Sequence, residues 1–198
     1  MKLAFFGAFN PPTIAHLELA RFAMEATGAE QVVFVPSKSV YIRGEQGKDY
    51  AYTDEERLAM LRKASETRPW MAVTDWEIKQ DRQPRSYETL CGLRAEGCTA
   101  KLLIGSDKLP ELENGWLHVE EIVQEFGIVC LTRGEDECEQ MIRKDPYLCT
   151  LAGGICVLET PKGMRGISST EVRRRIREIR RIEKELDELV PPEIRLLL

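Results

Sequence analysis

Residues 2–16, KLAFFGAFNPPTIAH, carry a short apolar run that stops at Gly7, a turn with two prolines, and the entry to a helix. The run reads as a buried strand. From Ile14 onward, Leu17, Leu19, Ala20, Phe22, Ala23 and Met24 recur at mostly helical spacing until Gly28 breaks the pattern. This strand, turn and helix then repeat along the chain. QVVFVPS (31–37), WMAVTDW (70–76), KLLIG (101–105), GIVCLTR (127–133) and GGICVLE (153–159) read as further strands. Between them, TDEERLAMLRKASET opens with Thr53 and Glu56 in capping-box register, SYETLCGLRAEG (86–97) is a helix ended by glycine, and HVEEIVQEF is helical. SSTEVRRRIREIRRIEKELDEL forms the last long helix. Residues 38–53 show no period and read as a mobile loop near the site.

Strands that alternate with helices over connections too long for hairpins predict an α/β fold, a Rossmann-like doubly wound parallel sheet with both faces covered. In such sheets ligands sit at the carboxyl ends of the strands, where the strand order reverses. The residues of interest accordingly follow strands: Gly7 to His16 the first, Trp76 the third, Gly105 to Asp107 the fourth, and Arg133 the fifth.

The 198 residues suit one domain, 1–198, and 43% hydrophobic with 31% charged residues allows a substantial core under a solvated surface. No apolar run reaches membrane-span length and the N-terminus lacks signal-peptide character, so a cytoplasmic protein without a membrane partner is expected. The six cysteines form no C-x-x-C pair, which argues against a zinc cluster or dithiol motif. A net charge of −5 argues against a nucleic-acid partner, and the basic stretch RRRIREIRR (173–181) reads as a solvated helix face with acidic neighbours. Oligomeric state stays open, with a homo-oligomer allowed.

After the first strand, small residues let a ligand's phosphates approach peptide N–H groups at a helix start, and His16 stands in that helix's first turn. The fragment is neither a Walker A loop nor a G-x-G-x-x-G turn. Far away, GISSTEVRRRI (166–176) sets Ser168, Ser169 and Thr170 at another helix start with Arg173 one turn in. Hydroxyls, N–H groups and a guanidinium suit phosphate oxygens, while plain helix capping is the alternative for the same residues. Trp76 and Trp116 each follow a strand, where an indole can stack on a flat ring or simply pack.

Together the two fragments resemble the nucleotidylyltransferase superfamily, with its T/H-x-x-H after strand one (Thr13 to His16) and I-S-S-T-x-x-R near the C-terminus (Ile167 to Arg173). The middle of the chain narrows the resemblance to the nicotinamide and nicotinate mononucleotide adenylyltransferases. LLIGSDKLPELENGW (102–116), VTDWE (73–77), SYETL (86–90) and ELVPPEIRLLL are similar to that family's G-x-D and tryptophan, V-D-x-W-E, S-Y-x-T-L and closing V-P segments. Similarity extends over nearly the whole chain and is weakest at 38–53 and 134–153.

The resemblance implies an adenylyltransferase that joins ATP to nicotinate or nicotinamide mononucleotide, with His16 and Arg173 catalytic. It implies ATP contacts from Gly7, Ala8, Phe9, Thr13, His16, Gly105, Asp107, Ile167, Ser168, Ser169, Thr170 and Arg173, with segment 167–198 completing the ATP site. Pyridine-nucleotide contacts fall to Phe9, Asn10, Lys48, Trp76, Ser86, Tyr87, Thr89, Trp116 and Arg133. Mg²⁺ is expected to be held mainly by ATP phosphates, with no protein metal cluster. The competing readings are another acceptor within the superfamily, such as phosphopantetheine, and a non-catalytic nucleotide binder. The acid or amide identity of the pyridine substrate stays open.

Overall fold

A computed structural model describes residues 1–47, 51–132, 137–161 and 169–189. Six strands, β1 Lys2–Gly7, β2 Gln31–Pro36, β3 Met71–Val73, β4 Ala100–Gly105, β5 Ile128–Leu131 and β6 Ile155–Leu158, form one sheet in the order β3-β2-β1-β4-β5-β6. All five strand pairs are parallel. The helices are α1 Ile14–Thr27, α2 Ser39–Gly44, α3 Asp54–Ser65, α4 Trp76–Lys79, α5 Ser86–Ala95, α6 Leu112–Gly115, α7 Val119–Glu125, α8 Cys138–Lys144, α9 Pro146–Leu151 and α10 Ser169–Leu189, with a 3₁₀ turn at Ser106–Glu111.

Alternating side chains of the strands supply two cores, as the period of two demands. Ala4, Val33, Val35, Leu102, Ile104, Ile128 and Cys130 pack with Leu90 and Leu93 of α5, Ile122 of α7, and Ile142 and Leu148 of α8 and α9. On the opposite face Leu3, Val32, Phe34, Leu103, Val129 and Leu131 pack with Ala20 and Ala23 of α1 and Leu61 of α3. Each inner strand is thus buried on both sides, which explains why the strands read as unbroken apolar runs rather than alternating ones.

The helix boundaries follow from local chemistry. In α3 the reciprocal cap expected at Thr53 and Glu56 is present: the Glu56 amide donates to Thr53 Oγ1 (3.2 Å) and the Thr53 amide to Glu56 Oε2 (2.8 Å). α1 ends at Gly28, whose φ of 66° is the left-handed conformation a helix stop favours. The third strand is shorter than the sequence suggests. It stops at Val73, and the Trp76 amide donates to Thr74 Oγ1 (3.1 Å), turning the chain into α4. The stretch from 38 also departs from a plain loop, since α2 buries Ser39 and Ile42.

The chain runs from β1 outward through β2 to β3, then returns to the other side of β1 and continues through β4 to β6. The order therefore reverses between β1 and β4, and the segments leaving Gly7 and Gly105 flank the crevice where such sheets bind ligands. No helix among the described residues is long and apolar enough to cross a membrane.

Candidate active site

At the end of β1 the backbone is held in an unusual shape. Phe9 has φ of 42°, and its ring is buried against Phe5, Phe34 and His16. The Asn10–Pro11 peptide is cis. The fit at Gly7 is tight: a Cβ would stand 3.1 Å from the Phe9 ring, which would have to give way by a few tenths of an ångström. Asn10 is itself buried, and its Oδ1 accepts the Tyr52 amide N–H (2.9 Å).

Thr13 caps α1, and His16 returns the favour. The Thr13 amide and hydroxyl lie 3.0 and 2.7 Å from His16 Nδ1, while the His16 amide donates to Thr13 Oγ1 (3.4 Å). A backbone N–H can only donate, so Nδ1 is an acceptor and the neutral ring carries its proton on Nε2. The capping box thereby fixes both the orientation and the tautomer of the predicted catalytic histidine.

The two sequence fragments meet. Ser169 Oγ, on the first residue of α10, donates to the Pro11 carbonyl (2.9 Å). Arg173 donates through Nη1 to the Asn10 carbonyl (2.6 Å) and through Nη2 to Thr170 Oγ1 (3.1 Å). Residues separated by up to 163 positions in sequence are therefore in direct contact. Two helix starts, α1 and α10, converge on one turn with a histidine, two hydroxyls and a guanidinium, an arrangement suited to anionic oxygens.

Arg57 holds the same turn from below, although nothing in its sequence surroundings singles it out. Fully buried, it donates through Nη1 to the Ala8 carbonyl (2.8 Å), and through Nη2 to the Ser37 carbonyl and to Asp54 Oδ1 (2.5 Å). Asp54 Oδ1 also accepts the Ser39 amide (2.6 Å). One side chain of α3 thus ties the carboxyl ends of β1 and β2 together. Burial lowers its pKa, partly opposed by Asp54, and its Nε finds no acceptor among the described residues.

Gly105 ends β4, and Asp107 is exposed on the 3₁₀ turn that follows. Trp116, half-buried at the end of α6, packs against the core cluster that holds α5 and α7. Trp76, also half-buried, opens α4 and lies on Gly92 of α5 so closely that a Cβ there would be 2.0 Å from its ring. Ser86 opens α5. Tyr87 is engaged with α7: its hydroxyl donates to Glu125 Oε1 (2.7 Å), which raises its pKa to about 12, and its ring lies 5.2 Å from that of His118. Thr89 differs from the direct contact expected of it. It is fully buried and its hydroxyl donates to Glu77 Oε1 (2.8 Å), so it acts on α4 and α5 rather than at the surface of the crevice. Lys48, Arg133, Ile167 and Ser168 lie outside the described residues.

Glu77 enters the sequence reading only as part of VTDWE, yet among the described residues it and Arg57 are the buried acidic and basic side chains, Glu77 at 2% exposure. Burial pushes its carboxyl up to about 7, against hydrogen bonds from Gln83 and Thr89 that favour the ionised form. Among the described residues no group of three or more His, Cys, Asp or Glu side chains is placed to hold a metal ion.

The family described as Cytidylyltransferase-like matches residues 4–175. A Carboxydothermus hydrogenoformans protein named probable nicotinate-nucleotide adenylyltransferase is 31% identical over 177 residues, covering 88% of this chain and 85% of that one. A Caldicellulosiruptor bescii protein of the same name is 28% identical over 98% of this chain and 94% of its own. The solved structure of Plasmodium falciparum nicotinic acid mononucleotide adenylyltransferase complexed with NaAD has a TM-score of 0.67 over 87% of this chain and 82% of that chain, at 18% identity, a likeness of fold. The chain belongs to the cytidylyltransferase-like family of nucleotidylyltransferases.

Proposed function

We propose that this chain transfers the adenylyl group of ATP to nicotinate mononucleotide, forming the dinucleotide and releasing pyrophosphate. The observation that carries the reading is the junction of the β1 turn with the start of α10, where Ser169 and Arg173 bond to Pro11 and Asn10 beside His16. The relatives are named for nicotinate nucleotide, which supports the acid rather than the amide as acceptor.

The acceptor phosphate has a second pKa of about 6 and is largely ionised at neutral pH, so the reaction needs no general base. What it needs is alignment of two anions and neutralisation of charge on the transferring group. His16 Nε2–H donates to a phosphate oxygen as charge builds there. The Arg173 guanidinium, a planar fork of N–H donors at the same turn, suits the paired oxygens of a phosphate. Ser169 and Thr170 add hydroxyls at a helix start, and residues 169–189 complete the ATP side of the site. Gly7, Ala8 and Phe9 bring the backbone close to the nucleotides, and Asp107 accepts from ribose or adenosine. Trp116, Trp76 and Ser86 belong to the pyridine side.

Mg²⁺ accompanies the triphosphate in this reading. The wall of His16, Ser169, Thr170 and Arg173 presents mainly N–H and O–H donors, which suit phosphate oxygens rather than a cation, so phosphates and water hold the ion. It supplies charge neutralisation on the transferring group.

Pyrophosphate release from ATP tests the proposal, with nicotinate mononucleotide, nicotinamide mononucleotide and phosphopantetheine offered in parallel. Fastest turnover with the nicotinate form is expected. Silence with both pyridine nucleotides, from folded protein that binds ATP, would refute it.

A further inference from the structure

The segment that joins β3 to α5 carries Trp76 and delivers Ser86 and Tyr87 at the start of α5, yet it lies at the edge of the sheet with little strand structure to hold it. A chain of hydrogen bonds does so instead. The Lys38 amide, just past β2, donates to Gln83 Oε1 (2.8 Å), Gln83 Nε2 donates to Glu77 Oε2 (2.6 Å), and the Thr89 hydroxyl donates to Glu77 Oε1 (2.8 Å). The Lys38 ammonium closes a second loop onto the carbonyls of Ile78 (2.7 Å) and Gln80 (2.5 Å), and Gln80 Nε2 donates to the Trp76 carbonyl (2.9 Å).

The direction of this chain is fixed by its first member. The Lys38 N–H can only donate, so the Gln83 oxygen must face it and the Gln83 amide nitrogen must face Glu77. Glu77 Oε2 is therefore obliged to accept. The other oxygen has a choice, because the Thr89 hydroxyl also lies 3.3 Å from the Arg85 carbonyl. With Glu77 ionised, Thr89 donates to it. With Oε1 protonated, Glu77 donates to Thr89 and Thr89 donates to Arg85. A glutamine at 77 can reproduce the second pattern, carbonyl toward Gln83 and NH₂ toward Thr89. Alanine satisfies neither: Gln83 Nε2 keeps only the long bond to the Pro84 carbonyl (3.4 Å) and the Thr89 hydroxyl only that to the Arg85 carbonyl (3.3 Å), so the tie between the two segments is lost.

We infer that Glu77 is a positioning residue for the acceptor mononucleotide, locking α4 and the start of α5 to the carboxyl end of β2 so that Trp76, Ser86 and Tyr87 keep their register to the crevice. Glu77 touches no substrate. On the ATP side, the bonds described above, Thr13 to His16, Ser169 to Pro11 and Arg173 to Asn10, involve none of the residues of this chain of bonds. Its loss therefore falls on one substrate and spares the other. The assignment rests on the adenylyl-transfer reading above.

Steady-state kinetics test it, with nicotinate mononucleotide and ATP varied separately for the wild-type chain, Glu77→Ala, Glu77→Gln and Thr89→Val. Glu77→Ala is expected to raise the acceptor KM about tenfold or more while the ATP KM stays within about twofold, and Glu77→Gln to restore the acceptor KM to within about threefold of wild type. Thr89→Val, which removes one bond at constant shape, is expected to raise the acceptor KM severalfold, and decides the matter should the alanine variant fail to fold. Equal changes in both KM values, or an unchanged acceptor KM in folded Thr89→Val, would overturn the assignment alone. A wild-type chain with no turnover on any pyridine mononucleotide would overturn the adenylyl-transfer reading and the assignment with it.

Discussion

Replacing Gly92 by alanine sets two well-understood effects against each other. Gly92 lies inside α5, where alanine is favoured over glycine by about 1 kcal/mol of helix propensity. The new Cβ, however, would stand 2.0, 2.3 and 2.8 Å from Cζ2, Cε2 and Cη2 of Trp76. Carbon atoms rest at about 3.5–4.0 Å, so the indole must shift by about 1.5 Å as a rigid unit. Overpacking of this kind costs about 1–3 kcal/mol. Swinging the ring out is no easier, since exposing about 100 Å² of it costs about 2.5 kcal/mol. The overlap therefore offsets or outweighs propensity, and Gly92→Ala is expected to destabilise the protein by up to about 2 kcal/mol. Urea unfolding followed by circular dichroism reads the change, and indole fluorescence reads the displaced ring. In a Trp76→Ala background the obstacle is gone, and the same substitution is expected to stabilise by about 1 kcal/mol, a reversal of sign within one double-mutant cycle. A higher urea midpoint for Gly92→Ala alone would refute the reasoning.

Three other perturbations probe the site and its supports. His16→Ala is expected to lower turnover about a hundredfold or more by removing a donor to developing charge, at a cap cost of about 1 kcal/mol; near-normal turnover in folded protein would contradict the role given to Nε2. Arg57→Met takes the donors from the Ala8 and Ser37 carbonyls and is expected to cost about 3–5 kcal/mol in urea unfolding, and a loss under about 1 kcal/mol would show the clamp to be dispensable. The Glu77 carboxyl, raised to about 7 by burial, contributes stability that is full below the ordinary carboxylate range and lost as pH rises through about 7. Glu77→Gln removes that slope, so its stability relative to wild type is expected to rise between pH 5 and 8 by up to about 3 kcal/mol; a constant difference across that window would count against a buried titrating carboxyl.

The parallel sheet was legible because burial on both faces writes each strand as a compact apolar run, and glycine or a cap marks nearly every long helix. What escaped notice is short or depends on distant partners. α8 and α9 are too brief to show a period, and Thr74, Asp75 and Trp76 have strand-like composition although the Thr74 hydroxyl turns the chain. The meeting of Thr13–His16 with Ser169–Arg173 could be anticipated from two fragments that each suit an anion. Arg57 could not: in DEERLAML it reads as one more solvated charge, and only its place beside the buried Leu58 and Leu61 hints that it points inward. Thr89 misled in the opposite way, since a motif hydroxyl looks like a ligand contact and here serves a buried carboxylate.

All six strands lie within residues 2–158, whereas the guanidinium and hydroxyls that face the turn after β1 arrive on α10, which starts at Ser169. The part of the candidate site carried by α10 thus meets the part carried by β1 and α1 across side chain to carbonyl bonds. With the roles proposed above for Ser169, Thr170 and Arg173, fraying of the first turn of α10 is expected to abolish chemistry while every strand stays paired, so activity would report the integrity of one helix end, and spectroscopic nativeness would set only an upper bound on how many molecules can turn over.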